Sequence, residues 1–423
     1  MKKILLTMCI ICGATVASAQ QFNDYFEDKT LRIDYDFTGD VNKQEISVIR
    51  LNAIPRWYGK RQNLAEVPTE GNGDITVRAK DGRVIYKNSF STLFQEWLAY
   101  PEAKKVRKSF ENVFLLPMPK DTVDVTIELR TARRGTLVTY THRVAPSDIL
   151  IKRIGDKDVT PYKTLMQAAD TNKCMHIAYI AEGYRREDMD SFIAHATEAN
   201  DALFAHEPFK SMKDRFNVVA VMSESKESGT SVPSKGVWKN TVLGSHFDTF
   251  YSERYLTTLN LRDMHDQLAG TPYEHIIVLV NSETYGGGGI YNSYNLTSTR
   301  HKYFKPVVVH EFGHSIAGLG DEYAFEDEVI PLYPHDIEPW EPNLTTLVDF
   351  HSKWEDMVKK GTKIPTIPTE KNKMEVGAYE GAGYSIKGVY RAFQDCRMRS
   401  NQFPEFCPVC KRALIHLIDF YTK

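Results

Sequence analysis

The chain has 423 residues, 42% of them hydrophobic and 26% charged, and its 53 Lys and Arg against 55 Asp and Glu give a formal charge of -2. So even a balance excludes the basic footprint of a nucleic-acid binder, and so apolar a composition excludes a disordered chain. Roughly 400 residues remain beyond an amino-terminal leader, more than one domain usually holds, so two domains are expected.

The leader is MKKILLTMCIICGATVASAQ, with Lys2 and Lys3, an apolar core from Ile4 to about Cys12, and small residues at Ala17-Ser18-Ala19. This is the layout of a secretory signal peptide over residues 1–19, and its apolar core is too short to span a membrane. The mature chain then starts at Gln20 or Gln21 and is exported: secreted, periplasmic or associated with the cell surface. Cys12 raises the alternative of a lipid anchor, ranked second because Ile11 before it is bulkier than the small residue expected there. No other run is apolar for long enough to make a transmembrane segment in the mature chain.

From about Leu31 to Val144, apolar and polar residues alternate in LRIDYDFTG, QEISVIRLNAI, DITVRAKDGRVIYKNSF, TVDVTIELRTA and TLVTYTHRVA. Alternation of this kind predicts strands, and Asp81-Gly82 between two such runs predicts a hairpin. An antiparallel β-sandwich-like domain over residues 20–150 buries faces patterned in this way, and its role reads as support or docking. Pro146 to Thr160 reads as the crossing to a second, α/β domain over 151–423, making the whole chain α+β.

In the second domain, CMHIAYIAEGY, RFNVVAVMSES and HIIVLVNSE read as buried strands, and Asp188 to Phe204 as a helix. Gly286 to Gly289 then form a run of four glycines, which permits close approach of another backbone. The extended segment after it can then pair with a peptide substrate as an added strand, with an ordinary flexible loop as the equal alternative.

The run His310-Glu311-Phe312-Gly313-His314 carries the chemistry. On a helix, the two histidines project from one face close enough to share a zinc ion, and Glu311 sits where it can take a proton from water. Val307, Val308, Val309, Phe312 and Ile316 give the helix an apolar stripe, and Gly318 and Gly320 stop it. A catalytic zinc takes three protein ligands and an open position. Asp321, eleven residues after His310, is the first choice for the third ligand and Glu322 the runner-up, since the glycines let the chain turn back toward the metal. Helix capping or calcium binding are the structural alternatives for this pair, while Glu326, Asp327 and Glu328 read as a solvated acidic surface.

Beyond the leader, the cysteines are Cys174, Cys396, Cys407 and Cys410. Export permits disulfides, and a staple from Cys396 to one of the late pair is favoured over a redox Cys-x-x-Cys or a four-cysteine structural zinc site.

HEFGHSIAGLGDEY, the preceding GGGGIYNSY, and YEGAGYSIKGVYRAFQDCRMRS with FCPVC downstream resemble the IgA-peptidase family of secreted zinc metallopeptidases. The resemblance is strong from about Cys174 to Lys423 and less specific before it. It implies a metzincin-like catalytic domain, with a mixed sheet above an active-site helix, His310, His314 and Asp321 as zinc ligands, and Glu311 as general base. The usual metzincin glycine and third histidine are replaced here by Ala317 and Gly320, so that Gly318 and Asp321 fit a variant with one extra residue and a carboxylate ligand. Met398 in Cys396-Arg397-Met398 resembles the methionine that floors such sites, and Tyr384, Tyr390 and Arg391 are candidate oxyanion donors.

The expected function is zinc-dependent endopeptidase activity on a protein or peptide, with a host or extracellular glycoprotein among the candidate substrates. Two other functions are open: a secreted protein- or glycan-binding protein on a degenerate peptidase fold, and a zinc amidase acting on cell-wall peptides.

Overall fold

The structure, a computed structural model, describes residues 21–326 and 332–423. The leader, Asp327 and Glu328 lie outside the described residues.

After a single turn, α1 (Phe22–Tyr25), the chain enters β1 (Phe26–Gly39) and β2 (Gln44–Ile54), which pair antiparallel with Ile33 opposite Leu51. A second pair, β3 (Gly73–Arg78) and β4 (Val84–Phe90), is joined through Asp81-Gly82, where the Gly82 N–H donates to the Ala79 carbonyl. A short helix α2 (Leu93–Trp97) leads to β5 (Lys108–Pro119), β6 (Val123–Arg130) and β7 (Thr136–Val144). Two four-stranded sheets result, ordered β5-β1-β2-β8 and β4-β3-β6-β7, where β8 is Lys152–Arg153. Strict alternation along β6 puts Val123, Val125, Ile127 and Leu129 into a core shared with Ile33, Tyr35 and Phe37 of β1.

The remaining strands include β9 (Tyr162–Met166), β10 (Met175–Glu182), β11 (Phe216–Val221), β12 (His275–Val280), β13 (Gly287–Ile290) and β14 (Tyr294–Ser298). They form one sheet ordered β13-β14-β12-β10-β11-β9, in which β14, β12, β10 and β11 run parallel and the two edges antiparallel. Both faces are covered, which is why β10, β11 and β12 read as unbroken apolar runs. Ile177, Tyr179 and Ala181 face the core that includes α3 (Met189–Phe204) and α5 (Phe304–Ala317). Ala178, Ile180 and Val278 share the other core with the amino-terminal sheets.

That junction is also ionic. Arg32 of β1, fully buried, pairs with Asp34 at 2.7 Å and with Asp266 of α4 (Leu261–Leu268) at 2.6 Å. A buried guanidinium needs such partners, because an unpaired charge there costs several kcal/mol.

Residues between β11 and α4 form a long connection held by one carboxylate. Glu182, at the end of β10, accepts from Thr241 Oγ1 and from the N–H groups of Leu243 and Ser245. A small sheet, β15 (Leu344–Thr345), β16 (Tyr379–Ala382) and β17 (Ser385–Arg391), and a last helix α6 (Pro408–Thr422) complete the chain.

Candidate metal centre

α5 starts with Pro306 in its first turn, where a missing N–H goes unnoticed, and ends at Gly318 in the left-handed conformation at φ +62°. Val307, Val308, Val309, Phe312 and Ile316 are buried, leaving His310, Glu311 and His314 on the remaining face. Asn343 then grips Gly320 on both sides, accepting from its N–H at 2.7 Å and donating to its carbonyl at 2.9 Å. The chain is thereby returned toward the helix, and Asp321 Oδ1 lies 3.0 Å from His310 Nε2 and 3.3 Å from His314 Nε2. The two Nε2 atoms are 3.0 Å apart.

The protonation pattern makes this convergence informative. His310 Nδ1 faces the carbonyl of Arg397 at 3.0 Å, and His314 Nδ1 faces that of Leu319. Each Nδ1 must carry the proton to donate to a carbonyl, so each ring, in its neutral form, turns an Nε2 lone pair inward. Asp321 Oδ1, buried and without a hydrogen-bond donor, meets them. Three such groups converging on one point can hold a cation, and their spacings of 3.0 to 3.3 Å come close to those of a tetrahedral ion with bonds of about 2.0–2.2 Å. On protein groups alone, burial disfavours charge on His314, yet Asp321 overrides it and pushes the pKa up to about 9. Burial also works to raise Asp321, and the histidines reverse this, holding it below the ordinary carboxylate range. The pocket draws in positive charge.

Around this point, Tyr384 donates its hydroxyl to Asp321 Oδ2, and its ring packs against Tyr323 and Phe325. Of the other candidate donors, Arg391 is taken up by the carbonyls of Glu380 and Gly381, and Tyr390 lies beside Glu380. Met398 is buried with its sulfur against Gly313, where a Cβ would come within 2.8 Å of it. Glu311 lies along β13: a Cβ on Gly287 would meet its Oε1 at 2.5 Å. Burial raises the Glu311 pKa, with the two histidines pulling it back.

The glycine run admits the close approach of α5. A Cβ on Gly289 would meet the Glu311 carbonyl oxygen at 2.5 Å and His314 Cβ at 2.8 Å. The extended segment after the run is β14, already paired with β12 and β13, so it cannot accept a peptide strand. Tyr255 bridges the outer edge of β13 at Gly287.

Glu322 turns away from the histidines and sits with Cys396, Cys407 and Cys410. Among the described residues all four cysteines are free thiols, and the expected staple is not formed: Cys396 Sγ is 3.7 Å from Cys410 Sγ, against about 2.05 Å for a bond. Cys174 lies elsewhere, near His176 and Asn217, which removes a four-cysteine site.

Sequence reasoning missed two further contributors. Asn343 has no motif to mark it. Glu96 of α2, part-buried, has a pKa raised to about 7 by loss of solvent, accepts from Tyr255 Oη at 2.6 Å, and acts electrostatically on His314 and Asp321. This carboxyl comes from α2, in the amino-terminal region.

A helix that brings two histidines and a glutamate up to a carboxylate from the following turn is a peptidase-like active site. A family model described as IgA Peptidase M64 matches residues 164–375 and 367–418, and one described as Peptidase M64 N-terminus matches 21–141. The chain belongs to the IgA Peptidase M64 family. No curated protein matches. Among solved structures, the crystal structure of metalloproteinase-II from Bacteroides fragilis is similar at 13% identity, covering 70% of this chain and 84% of its own, with a TM-score of 0.21.

Proposed function

We propose that the chain is an exported zinc endopeptidase in which His310, His314 and Asp321 hold the metal and Glu311 is the general base. The observation that carries this reading is the meeting of two inward-turned Nε2 lone pairs with the orphaned Asp321 Oδ1. Three N and O donors suit zinc, which when bound supplies a Lewis acid to a water and a scissile carbonyl.

Glu311 takes the proton of that water and returns it to the leaving amine. Its raised pKa favours this exchange, because a base closer to neutrality both accepts and releases the proton. Tyr384, whose single hydroxyl proton is donated to Asp321 Oδ2, holds that carboxylate against the histidines. Met398 beneath Gly313 and the carbonyls of Arg397 and Leu319 fix the histidines in place. Export follows from the leader, and among the described residues no helix is long and apolar enough to cross a membrane.

Glu311→Gln is the test. The variant should keep its cation and lose about 10²–10⁴-fold in hydrolysis of a cleavable peptide. Equal rates for the two proteins would sink the assignment.

A further inference from the structure

We propose a second metal site, in which Glu322, Cys396, Cys407 and Cys410 hold a structural zinc ion that locks the carboxyl-terminal helix to the loop carrying Asp321. Each residue offers a donor atom, and these atoms all lie within 4.8 Å of one another. All four side chains are buried, at no more than 1% exposure. Cys396 Sγ is 3.7 Å from Cys410 Sγ, and Cys410 Sγ is 3.1 Å from Glu322 Oε1. Zinc–sulfur bonds of about 2.3 Å in a tetrahedron place sulfurs about 3.8 Å apart, close to the observed spacing.

The backbone is arranged for sulfur ligands. The N–H groups of Met398 and Cys407 point at Cys396 Sγ at 3.5 and 3.2 Å, and that of Cys410 at Cys407 Sγ at 3.5 Å. Donors of this kind stabilise thiolates, and Cys407 also caps the amino terminus of α6. Glu322 Oε1 is oriented by Asn343 Nδ2 at 2.9 Å, while Oε2 is a buried acceptor with no partner.

A disulfide is a poorer solution. Any bond between two of the sulfurs leaves a third thiol and a carboxylate in the apolar core, whereas one cation satisfies all four donors. A redox Cys-x-x-Cys is disfavoured too, since a loop, not a strand, precedes Cys407.

The site's position gives it a role. Glu322 follows Asp321, and its N–H donates to the Met398 carbonyl at 2.9 Å. Cys396 precedes Arg397, whose carbonyl orients His310. One ion would set the position of the acidic loop and of the methionine turn together, whatever reaction the first site performs.

The experiment measures zinc on the full chain purified without chelator. Two equivalents are expected, and His310→Ala/His314→Ala should retain one, whose X-ray absorption spectrum is dominated by sulfur at about 2.3 Å. Cys407→Ser/Cys410→Ser should lose that equivalent and melt at a lower temperature. Because this variant can fail to fold, wild-type protein is also denatured in chelator without reductant and alkylated, with Cys174, Cys396, Cys407 and Cys410 all expected to react. A disulfide among Cys396, Cys407 and Cys410, or no sulfur-ligated metal in the histidine variant, overturns the proposal.

Discussion

Asp321 and Glu322 are neighbours in the chain, yet their carboxylates enter two separate clusters, one with His310 and His314 and the other with three cysteines. Asn343 sets the division, since it clamps Gly320 and also donates to Glu322 Oε1. Asp321→Asn removes the anionic donor and should lower kcat/KM at least about 100-fold, with loss of one bound cation. Asn343→Ala leaves every proposed ligand present but frees the turn, and should weaken cation affinity about 10–100-fold. Competition with a chelating dye measures both, and unchanged affinity in Asn343→Ala would remove the clamp from the account.

Gly313 and Met398 form a second dependent pair. Alanine in a helix interior is favoured over glycine by about 1 kcal/mol, so Gly313→Ala would stabilise α5 in isolation. Here the new Cβ meets Met398 Sδ at 2.8 Å, and overpacking of this kind costs about 1–3 kcal/mol. Met398→Ala alone opens a cavity at about 2–5 kcal/mol. In the double variant the added methyl occupies part of that space, so the cost should fall below the sum of the single costs. Denaturant unfolding of the four proteins measures the coupling; strict additivity would show that the sulfur does not define the floor beneath the histidines.

Gly289 isolates the role of the glycine run. Gly289→Ala drives a Cβ into the Glu311 carbonyl, which as backbone cannot move aside, so a loss of about 1–3 kcal/mol is expected with reduced hydrolysis. Gly135→Ala is the control, since its Cβ would meet nothing closer than Thr131 Oγ1 at 3.7 Å. Equal melting temperatures for the two variants would mean that β13 does not press on α5.

Local chemistry decided what could be read from sequence. The alternation of QEISVIRLNAI coincides with β2, and the helix read from Asp188 to Phe204 is α3 at Met189–Phe204, because burial of one face imposes its own period. β5 was missed: LLPMP breaks the alternation with two prolines, although the strand pairs along nearly all of β1. The histidines, Glu311 and the returning acid are near in sequence, and so were readable as a group. Which face of the acidic pair meets them depends on Asn343, and the thiols meet Glu322 only after β17 and α6 fold back. The glycines signalled close approach correctly, but glycine does not state which backbone approaches.

Acid should destabilise the junction between the cores. His176 and His275 are buried, and burial lowers their pKa values to about 4 and about 3 from an ordinary 6.5. His176 Nε2 meets Asn217 Nδ2 at 3.1 Å, so the neutral ring serves as acceptor there, while His275 Nε2 is a buried atom without a partner. In the unfolded chain both titrate near 6.5, so between that pH and about 3 to 4 the unfolded state binds more protons than the folded one. Stability is then fully present above pH 6.5 and is lost as pH falls through this window, by several kcal/mol if both rings contribute. His275→Gln has nothing to titrate and should flatten the dependence of unfolding free energy on pH between 6.5 and 4, even if it costs stability at neutrality. Urea unfolding at stepped pH measures the slope, and an unaltered slope in the variant would remove His275 as a source of acid sensitivity.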